Sequence, residues 1–322
     1  MNEKNKLRIG IILDSVERLE INDDTSLLLF TELKSRGHRL FYIKPEDIYS
    51  SNGKLMIKLN YAEYDNNFEL KKTEIKNEEA KSLDAILIRL EPPYDINYIF
   101  LNQMLASLRE NVFFFNDPKA LTSTSEKLYI LDYPKYIPPT LVSRDILRLK
   151  HFVLSHQKTI IKQLDLYASK NLMTLTSKTK EPHLYLEKAT DNGKRYVMAQ
   201  EFIPAIHSEG DKRIIFLEGK ILGCYRRVPE EGNFRSDPDF GGKNDTAELS
   251  EKEMKVSLEI AKKSLKKGIY FGGIDMIGGF LTEINITCPA GIITLNQLYG
   301  LKLHEEIASF IEKNAYERKK DR

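Results

Sequence analysis

Three oxygen-bearing side chains in the C-terminal third of the chain have the spacing of a metal site. Asp275, Glu283 and Asn285 belong to two short apolar runs that meet at Gly278-Gly279, a pair typical of a hairpin turn. A two-residue turn pairs Asp275 with Thr282, whereas a three-residue loop pairs Asp275 with Glu283. We expect the three-residue loop, because it gathers both carboxylates and the amide on one face. The opposite, core-facing side then carries Ile274, Met276, Thr282, Ile284 and Ile286.

Two carboxylates on one face of a hairpin repel each other unless a cation lies between them. Hard oxygen ligands, few in number, suit Mg²⁺ or Mn²⁺ that is also held by the phosphates of a substrate. A half-buried antiparallel hairpin with a polar solvent face shows the same alternation, so this pattern alone leaves both interpretations open.

Several cationic side chains complement the carboxylates. Lys162 interrupts an apolar run, and a buried lysine needs an anionic partner, although a lysine at a strand edge can also reach solvent. Lys127 and Arg213 are further candidate cations, although Arg213 follows two charged residues and could belong to a solvated turn, and Arg226, Arg227 and Arg235 add local positive charge. Guanidinium groups hold carboxylates and phosphates well. The set predicts a nucleoside triphosphate with a divalent cation and a second, carboxylate-bearing substrate.

Composition limits the class of protein. The chain has 322 residues, of which 49 are basic and 47 acidic, so the charge gives no argument for nucleic acid or an anionic membrane as partner. No apolar run approaches the roughly 18 residues of a membrane span, and the first apolar run is too short for a signal peptide. Cys224 and Cys288 have no metal-site spacing and suit a reducing compartment. We expect a globular cytoplasmic protein.

The elements that position these residues fall into three predicted domains. Over residues 1–120, apolar runs at 7–13, 39–44, 84–90 and 112–115 alternate with helical patterns at 27–35 and 97–110, which predicts an open α/β domain. Ser51-Asn52-Gly53 indicates a hairpin turn within it.

Residues 121–200 are predicted to form a small α+β lid. Its expected elements are a helix over 119–132 that carries Lys127, a helix over 145–155, a strand over 159–164, and strands at 184–186 and 196–203.

Residues 201–322 are predicted to form the last domain. It holds strands at 214–217 and 221–228, a polar loop at 232–244, the metal hairpin and a final helix at 303–317. Another helix, over 250–267, has a capping box formed by Ser250 and Glu253 and ends at Gly268.

An ordered set of motifs over nearly the whole chain resembles bacterial glutathione synthetase, an ATP-grasp ligase. The motifs are Asp14, NDDTSLLLF (22–30), LEPPYD (90–95), SEK (125–127), MAQEFIPAI (198–206), GDKR (210–213), RRVP (226–229) and TEINITCP (282–289). The resemblance implies an ATP-grasp fold, mixed α/β and α+β, with an N-terminal Rossmann-like pre-ATP-grasp domain.

The resemblance also implies roles for the candidate residues. ATP would be bound by Lys127, Lys162, Gln200, Glu201, Phe202, Ile203 and Asp211, with the backbone of 200–203 at the adenine. Mg²⁺ or Mn²⁺ would be held by Asp275, Glu283 and Asn285. Arg213 would contact the phosphates or an acyl-phosphate, and Arg227 and Arg235 the peptide substrate or its activated carboxylate.

The implied reaction joins γ-glutamylcysteine to glycine through an acyl-phosphate, with ATP converted to ADP and phosphate. We expect small-molecule substrates, no nucleic acid or membrane partner, and a homo-oligomer.

Two departures from the family keep alternatives open. No glycine follows Lys162 before residue 171, where the family has a glycine-rich phosphate loop, so we expect weak ATP binding and uncoupled ADP release. The acceptor end reads Cys288-Pro289-Ala290-Gly291, with Ile293-Thr294 in place of an arginine–acid pair. The alternatives are a ligase for another amino acid or short peptide, and a nucleotide-binding pseudoenzyme.

Overall fold

The computed structural model describes residues 6–14, 24–64, 70–165, 172–237 and 240–322. The described strands form three sheets, which follow one another along the chain within residues 8–115, 140–201 and 211–285. The predicted domain limits near 120 and 200 are compatible with this succession and stay predictions. No helix in the described ranges is both long and apolar enough to cross a membrane.

The first sheet has a parallel centre. Its strands are β1 (Arg8–Ile12), β2 (Arg39–Ile43), β3 (Ile48–Ser51), β4 (Lys54–Tyr64), β5 (Leu70–Glu79), β6 (Ala85–Ile88) and β7 (Phe113–Phe115). The strands β2, β1, β6 and β7 lie side by side and parallel, as the strand–helix alternation predicts, and β4 adds to β2 in the antiparallel sense. The turn predicted at Asn52-Gly53 joins β3 to β4, with both residues at positive φ.

Helices cover both faces of this sheet. They are α1 (Thr25–Ser35), α2 (Ile96–Ala106) and α3 (Pro118–Ser123). Asp24 caps α1 through the backbone N–H groups of Ser26 and Leu27, so the helix begins two residues earlier than predicted. The predicted helix over 119–132 is wrong: α3 ends at Ser123, and Glu126 turns away so that its carboxylate accepts the N–H groups of Ile286 and Thr287.

The second sheet is antiparallel, in the order β10, β9, β11, β8. Its elements in chain order are β8 (Thr140–Ser143), α4 (Ile146–Ser155), β9 (Lys158–Gln163), β10 (Met173–Thr176), α5 (Pro182–Ala189) and β11 (Val197–Glu201). The strand predicted at 184–186 is wrong. Pro182 begins a helix there, and Leu186 points into the core with Leu149 and Val153 of α4.

The third sheet is also antiparallel, in the order β14, β13, β12, β15, β16. Its elements in chain order are α6 (Ile206–Glu209), β12 (Asp211–Leu217), β13 (Lys220–Val228), β14 (Lys243–Thr246), α7 (Glu251–Lys267), β15 (Phe271–Ile277), β16 (Phe280–Asn285), α8 (Ile292–Tyr299) and α9 (Leu303–Lys320). The capping box of Ser250 and Glu253 and the left-handed end at Gly268 confirm the prediction for α7. The short elements α6, β14 and α8 were not predicted.

The hairpin of β15 and β16 has the expected pairing register, but its turn differs from the predicted one. Asp275 pairs with Glu283, as predicted, but the turn has two residues, Gly278 and Gly279, both at positive φ. The extra residue is Thr282, which forms a bulge where β16 passes Asp275. The Thr282 hydroxyl donates to the carbonyl of Asp275 over 3.1 Å, which fixes the bulge. The predicted three-residue loop is therefore wrong, although its pairing is confirmed.

Asn116 ties the end of β7 to the metal hairpin. Its Oδ1 accepts the N–H groups of Tyr270 and Phe271 at 2.8 and 2.9 Å. Its Nδ2 donates to the carbonyls of Phe271 and Ile286 at 2.8 and 2.9 Å. One side chain thus satisfies four backbone groups of the third domain.

We expect Asn116→Ala to lower the free energy of unfolding by about 3 kcal/mol or more, because four buried backbone groups lose their partner. Urea denaturation measures the change, and Asn97→Ala, at an exposed site on α2, is the control. A loss no larger than that of the control would contradict this role.

Candidate active site

Two adjoining cavities lie beside the hairpin of β15 and β16. The first, about 1070 Å³ with its open mouth, separates the second sheet from the third; the second, about 1130 Å³, lies between the third sheet and the first domain. Both are lined by Arg213, Arg227, Asp237 and Asn285, which form the wall that they share. A molecule in one cavity can therefore meet a molecule in the other at this wall.

Two lysines from different elements reach the first cavity. Lys127 lies in the turn after α3, and its Nζ is 3.0 Å from Oε1 of Glu283. Lys162 projects from β9, and its Nζ donates to Oε1 of Gln200 at 2.9 Å and to the carbonyl of Thr282 at 3.4 Å. Burial lowers the pKa of Lys162, with the charge of Glu283 acting in the opposite direction. The predicted lysine pair is thus brought together at one cavity.

An arginine–aspartate network forms the shared wall. Arg213 contacts both oxygens of Asp275, Nε to Oδ1 at 2.5 Å and Nη2 to Oδ2 at 3.0 Å. Arg227 reaches Oδ2 of Asp275 at 3.1 Å and also donates to Asp211. Burial opposes the ionisation of Asp275, yet the two arginines together hold its pKa below the ordinary value. Burial raises the pKa of Asp211 to about 6, against the charge of Arg227.

The predicted metal ligands share one face of the hairpin. Nδ2 of Asn285 donates to Oδ2 of Asp275 over 3.0 Å, which leaves Oδ1 of Asn285 with no hydrogen bond within the described residues. Two carboxylates and a free amide oxygen suit a hard divalent cation that shares phosphate ligands. The described ranges contain no group of three or more His, Cys, Asp or Glu side chains in a metal-site arrangement, and the hairpin supplies two carboxylates and an amide. The donor set therefore fits the expected cation.

The predicted adenine site is the end of β11. Gln200, Glu201, Phe202 and Ile203 all line the first cavity. The N–H of Phe202 donates to the carbonyl of Lys158, whose Nζ lies 3.7 Å from the centre of the Phe202 ring. Two aromatic or aliphatic lining residues escaped sequence analysis, Phe234 and Leu172, because neither lies in a periodic pattern.

One predicted residue lies away from these cavities, and one predicted segment lies outside the described residues. Arg235 lines neither one: its guanidinium lies 4.6 Å from the centre of the Phe240 ring and donates to the carbonyl of Leu172 over 3.4 Å. The predicted pairing of Arg235 with Arg227 at the peptide is therefore not observed. The glycine-free segment falls on residues 166–171, which lie outside the described residues, so its predicted effects stay predictions.

The residues at which the acceptor end departs from the family's pattern line the second cavity. Its wall includes Cys288, Ile293 and Thr294. Two arginines hold the loop over residues 288–291. Arg89 donates to the carbonyl of Pro289 at 3.0 Å, and Arg213 donates to that of Ala290 at 3.2 Å. Sequence analysis missed Arg89, which belongs to the first domain and reaches this loop only in the folded chain.

The thiol of Cys288 in this wall is a poor nucleophile. Burial raises the pKa of Cys288 to about 12, so its sulfur stays protonated at neutral pH. Glu126 also lines the cavity, and burial raises the pKa of its carboxyl group.

Comparison with known proteins gives consistent matches. Residues 7–122 match the family model "Prokaryotic glutathione synthetase, N-terminal domain" and residues 126–300 match "Prokaryotic glutathione synthetase, ATP-grasp domain". The glutathione synthetase of Coxiella burnetii is 32% identical over 312 residues, 95% of this chain and 96% of that protein. That of Xanthomonas campestris pv. campestris is 33% identical over 314 residues, 92% and 95% of the two chains.

Solved structures share the fold at much lower identity. A D-cycloserine synthetase superposes with a TM-score of 0.68 at 12% identity, over 95% of this chain and 99% of that one. The D-alanyl-alanine synthetase A of Vibrio cholerae gives 0.63 at 13% identity, over 97% and 99%. These likenesses concern the fold alone.

Proposed function

Because the chain belongs to the prokaryotic glutathione synthetase family, we propose that it joins γ-glutamylcysteine to glycine and converts ATP to ADP and phosphate. The resemblance carried by the motifs is confirmed, and so is the ATP-grasp fold. The protein is an ATP-dependent ligase that forms C–N bonds. The observation that carries the proposal is the wall shared by the two cavities, since it supplies one place where a phosphate and a carboxylate can meet.

The nucleotide belongs in the first cavity. The backbone of 200–203 would meet the adenine, and Lys127, Lys162 and Arg213 would neutralise the phosphates. Lys162 supports this placement most strongly, because its Nζ contacts only neutral oxygens among the described residues. A buried ammonium of this kind is stabilised by an anionic ligand.

Asp275, Glu283 and Asn285 are the residues that would hold a divalent cation, Mg²⁺ or Mn²⁺. When bound, such a cation neutralises phosphate charge that otherwise repels the attacking carboxylate. The hairpin register supports this assignment, because it places Glu283 directly opposite Asp275.

The dipeptide belongs in the second cavity, with its cysteine carboxylate at the shared wall. Arg213 and Arg227 orient that carboxylate, which attacks the γ-phosphate and releases ADP. The amine of glycine then attacks the acyl-phosphate, the C–N bond forms and phosphate leaves. Catalysis rests on positioning and electrostatics. The thiol of Cys288 stays protonated and therefore does not compete as a nucleophile.

A different acceptor amine is the second candidate. It is favoured because Cys288, Ile293 and Thr294, which depart from the family's pattern, line the second cavity. Both cysteines, Cys224 and Cys288, are free thiols, which supports action in the reducing cytoplasm. The homo-oligomeric state stays a prediction.

The experiment is a product assay on the purified chain. With ATP, Mg²⁺, γ-glutamylcysteine and glycine, we expect glutathione to form, with ADP in excess of glutathione because of the glycine-free segment after Lys162, and little ADP when the dipeptide is omitted. Alanine, serine and β-alanine in place of glycine test the second candidate. ADP that forms with no new peptide for any of these amines would contradict the proposal.

A further inference from the structure

Glu126 is a buried carboxylate at the second cavity to which the proposed reaction assigns no part. It lies in the turn after α3 and lines that cavity. Its Oε1 accepts three hydrogen bonds, from the N–H groups of Ile286 and Thr287 at 2.6 and 2.9 Å and from the Thr287 hydroxyl at 2.9 Å. Its Oε2 accepts none from the residues that the structure describes. One oxygen is therefore fixed by the backbone, and the other is left for a ligand.

No cation contacts this carboxylate within the described residues. The neighbouring Lys127 has its Nζ 3.0 Å from Oε1 of Glu283 rather than beside Glu126. Burial raises the pKa of Glu126 and the charge of Glu283 adds to this, against the hydrogen bonds of the backbone and the charge of Lys127. A buried carboxylate in this state is stabilised by a cationic ligand that donates a hydrogen bond to it.

The charged groups of the second cavity are unevenly placed. Among its described lining residues the cations are Arg213 and Arg227, and both belong to the wall shared with the first cavity. Glu91 and Glu126 line the second cavity and not the first. A substrate carboxylate is therefore favoured at the shared wall, and a positively charged group is favoured beside the two glutamates.

Of these two glutamates, Glu126 is tied to the shared wall. Ile286 and Thr287, whose N–H groups its Oε1 accepts, directly follow Asn285, which is a residue of that wall. Successive Cα atoms are about 3.8 Å apart, so the backbone that Glu126 holds begins next to the wall. The amine that attacks the acyl-phosphate has to reach the same wall. The backbone N–H of Glu91, in contrast, donates to Asp14 of the first domain.

We propose that Glu126 binds the ammonium group of the acceptor: Oε2 accepts a hydrogen bond from the incoming amine while Oε1 holds the backbone at 286–287. The inference rests on the proposed function and deepens it, because it assigns a primary ammonium group to the acceptor whichever amine is the natural one. The dipeptide also carries an ammonium group, so the test has to distinguish the two.

Glu126→Gln separates the charge from the structural role. Glutamine keeps an oxygen where Oε1 meets its three donors, and its NH₂ group then replaces Oε2 and can accept nothing from an ammonium group. Two matched variants serve as controls. Glu91→Gln removes a carboxylate from the same cavity, and Thr287→Val removes one hydrogen bond to Oε1 without a change of charge.

The test measures peptide formation by the purified full chain, with glycine or the amine that replaces it in the product assay as the varied acceptor. ATP, Mg²⁺ and γ-glutamylcysteine are saturating, and the dipeptide is varied in a second series. We expect Glu126→Gln to raise the KM for the acceptor about 20-fold and that for the dipeptide by less than about threefold. Both control variants are expected to keep both KM values within about threefold of the parent.

A second measurement uses the parent alone and so does not depend on the folding of a variant. Glycinamide keeps the ammonium group of glycine and lacks its carboxylate, whereas glycolate keeps the carboxylate and has a hydroxyl group in place of the ammonium group. We expect glycinamide to inhibit peptide formation from glycine at least about tenfold more strongly than glycolate does.

The outcomes separate the inference from the proposed function. A parent-like KM for the acceptor in folded Glu126→Gln, a rise confined to the dipeptide, or an equal rise in either control would overturn the role of Glu126 while the ligase function stands. Glycolate that inhibits as strongly as glycinamide would do the same. A parent that forms no peptide with any amine would overturn the function and the inference together.

Discussion

Replacing Glu283 by glutamine is expected to lower Mg²⁺-dependent ATP turnover by roughly 100-fold or more, equivalent to about 2.7 kcal/mol in the barrier. The change removes one charge from the face shared with Asp275 and Asn285, and with it an anionic ligand for the cation. The apolar face of the hairpin is untouched, because Ile284 and Leu281 stay buried in the core. The fold is therefore expected to survive.

Steady-state ADP release, with circular dichroism to verify folding, measures the effect of Glu283→Gln. Glu259→Gln is a matched control, since Glu259 lies on the solvent side of α7, where its carboxylate pairs with Lys263. A Glu283→Gln protein that turns over ATP at the parent rate would show that the hairpin does not hold the cation.

Replacing Arg227 by alanine is expected to raise the KM for γ-glutamylcysteine roughly 30-fold, from the loss of a charge-assisted contact of about 2 kcal/mol. The KM for ATP is expected to change much less, because Arg227 lies on the shared wall, away from the adenine site at 200–203. The free energy of unfolding is expected to fall as well, by roughly 3–5 kcal/mol, because Asp211 loses its cationic partner.

The neighbouring Arg226 provides the control. It is also an arginine of β13, but strand alternation turns it to the other face, where it pairs with the exposed Asp245. Arg226→Ala is expected to leave both KM values within about twofold of the parent. Kinetics are compared at a temperature where all variants are folded. An equal rise of both KM values in Arg227→Ala, or a rise for ATP alone, would count against the placement of the dipeptide.

Features that depend on short-range patterns could be predicted from the sequence. The parallel strands of the first sheet follow from the alternation of strand and helix patterns, and the capping box of α7 and the pairing of Asp275 with Glu283 follow from capping and period-two patterns within a few residues. The prediction that Lys127, Lys162 and Arg213 meet at one site depended on the family resemblance. Their separation along the sequence carries no information about their distance in the folded chain.

Features set by contacts between distant segments could not be predicted in this way. The chain near Glu126 has a helical pattern, but its carboxylate binds the backbone at 286–287 and the helix ends early. The ion pair of Lys127 and Glu283 joins residues more than a hundred positions apart, and Arg89 reaches Pro289 over a longer separation still. The bulge at Thr282 also escaped prediction, since a two-residue turn alone would have placed Glu283 on the wrong face.

The central claim is that a substrate carboxylate at the shared wall attacks the γ-phosphate of ATP in the first cavity. The most direct measurement uses γ-glutamylcysteine labelled with heavy oxygen in its cysteine carboxylate, incubated with the protein, ATP, Mg²⁺ and glycine. Mass spectrometry of the released phosphate then reports where its oxygens came from. An acyl-phosphate requires one labelled oxygen in each phosphate, and that is the result we predict. Phosphate that carries no label while glutathione accumulates would contradict the account.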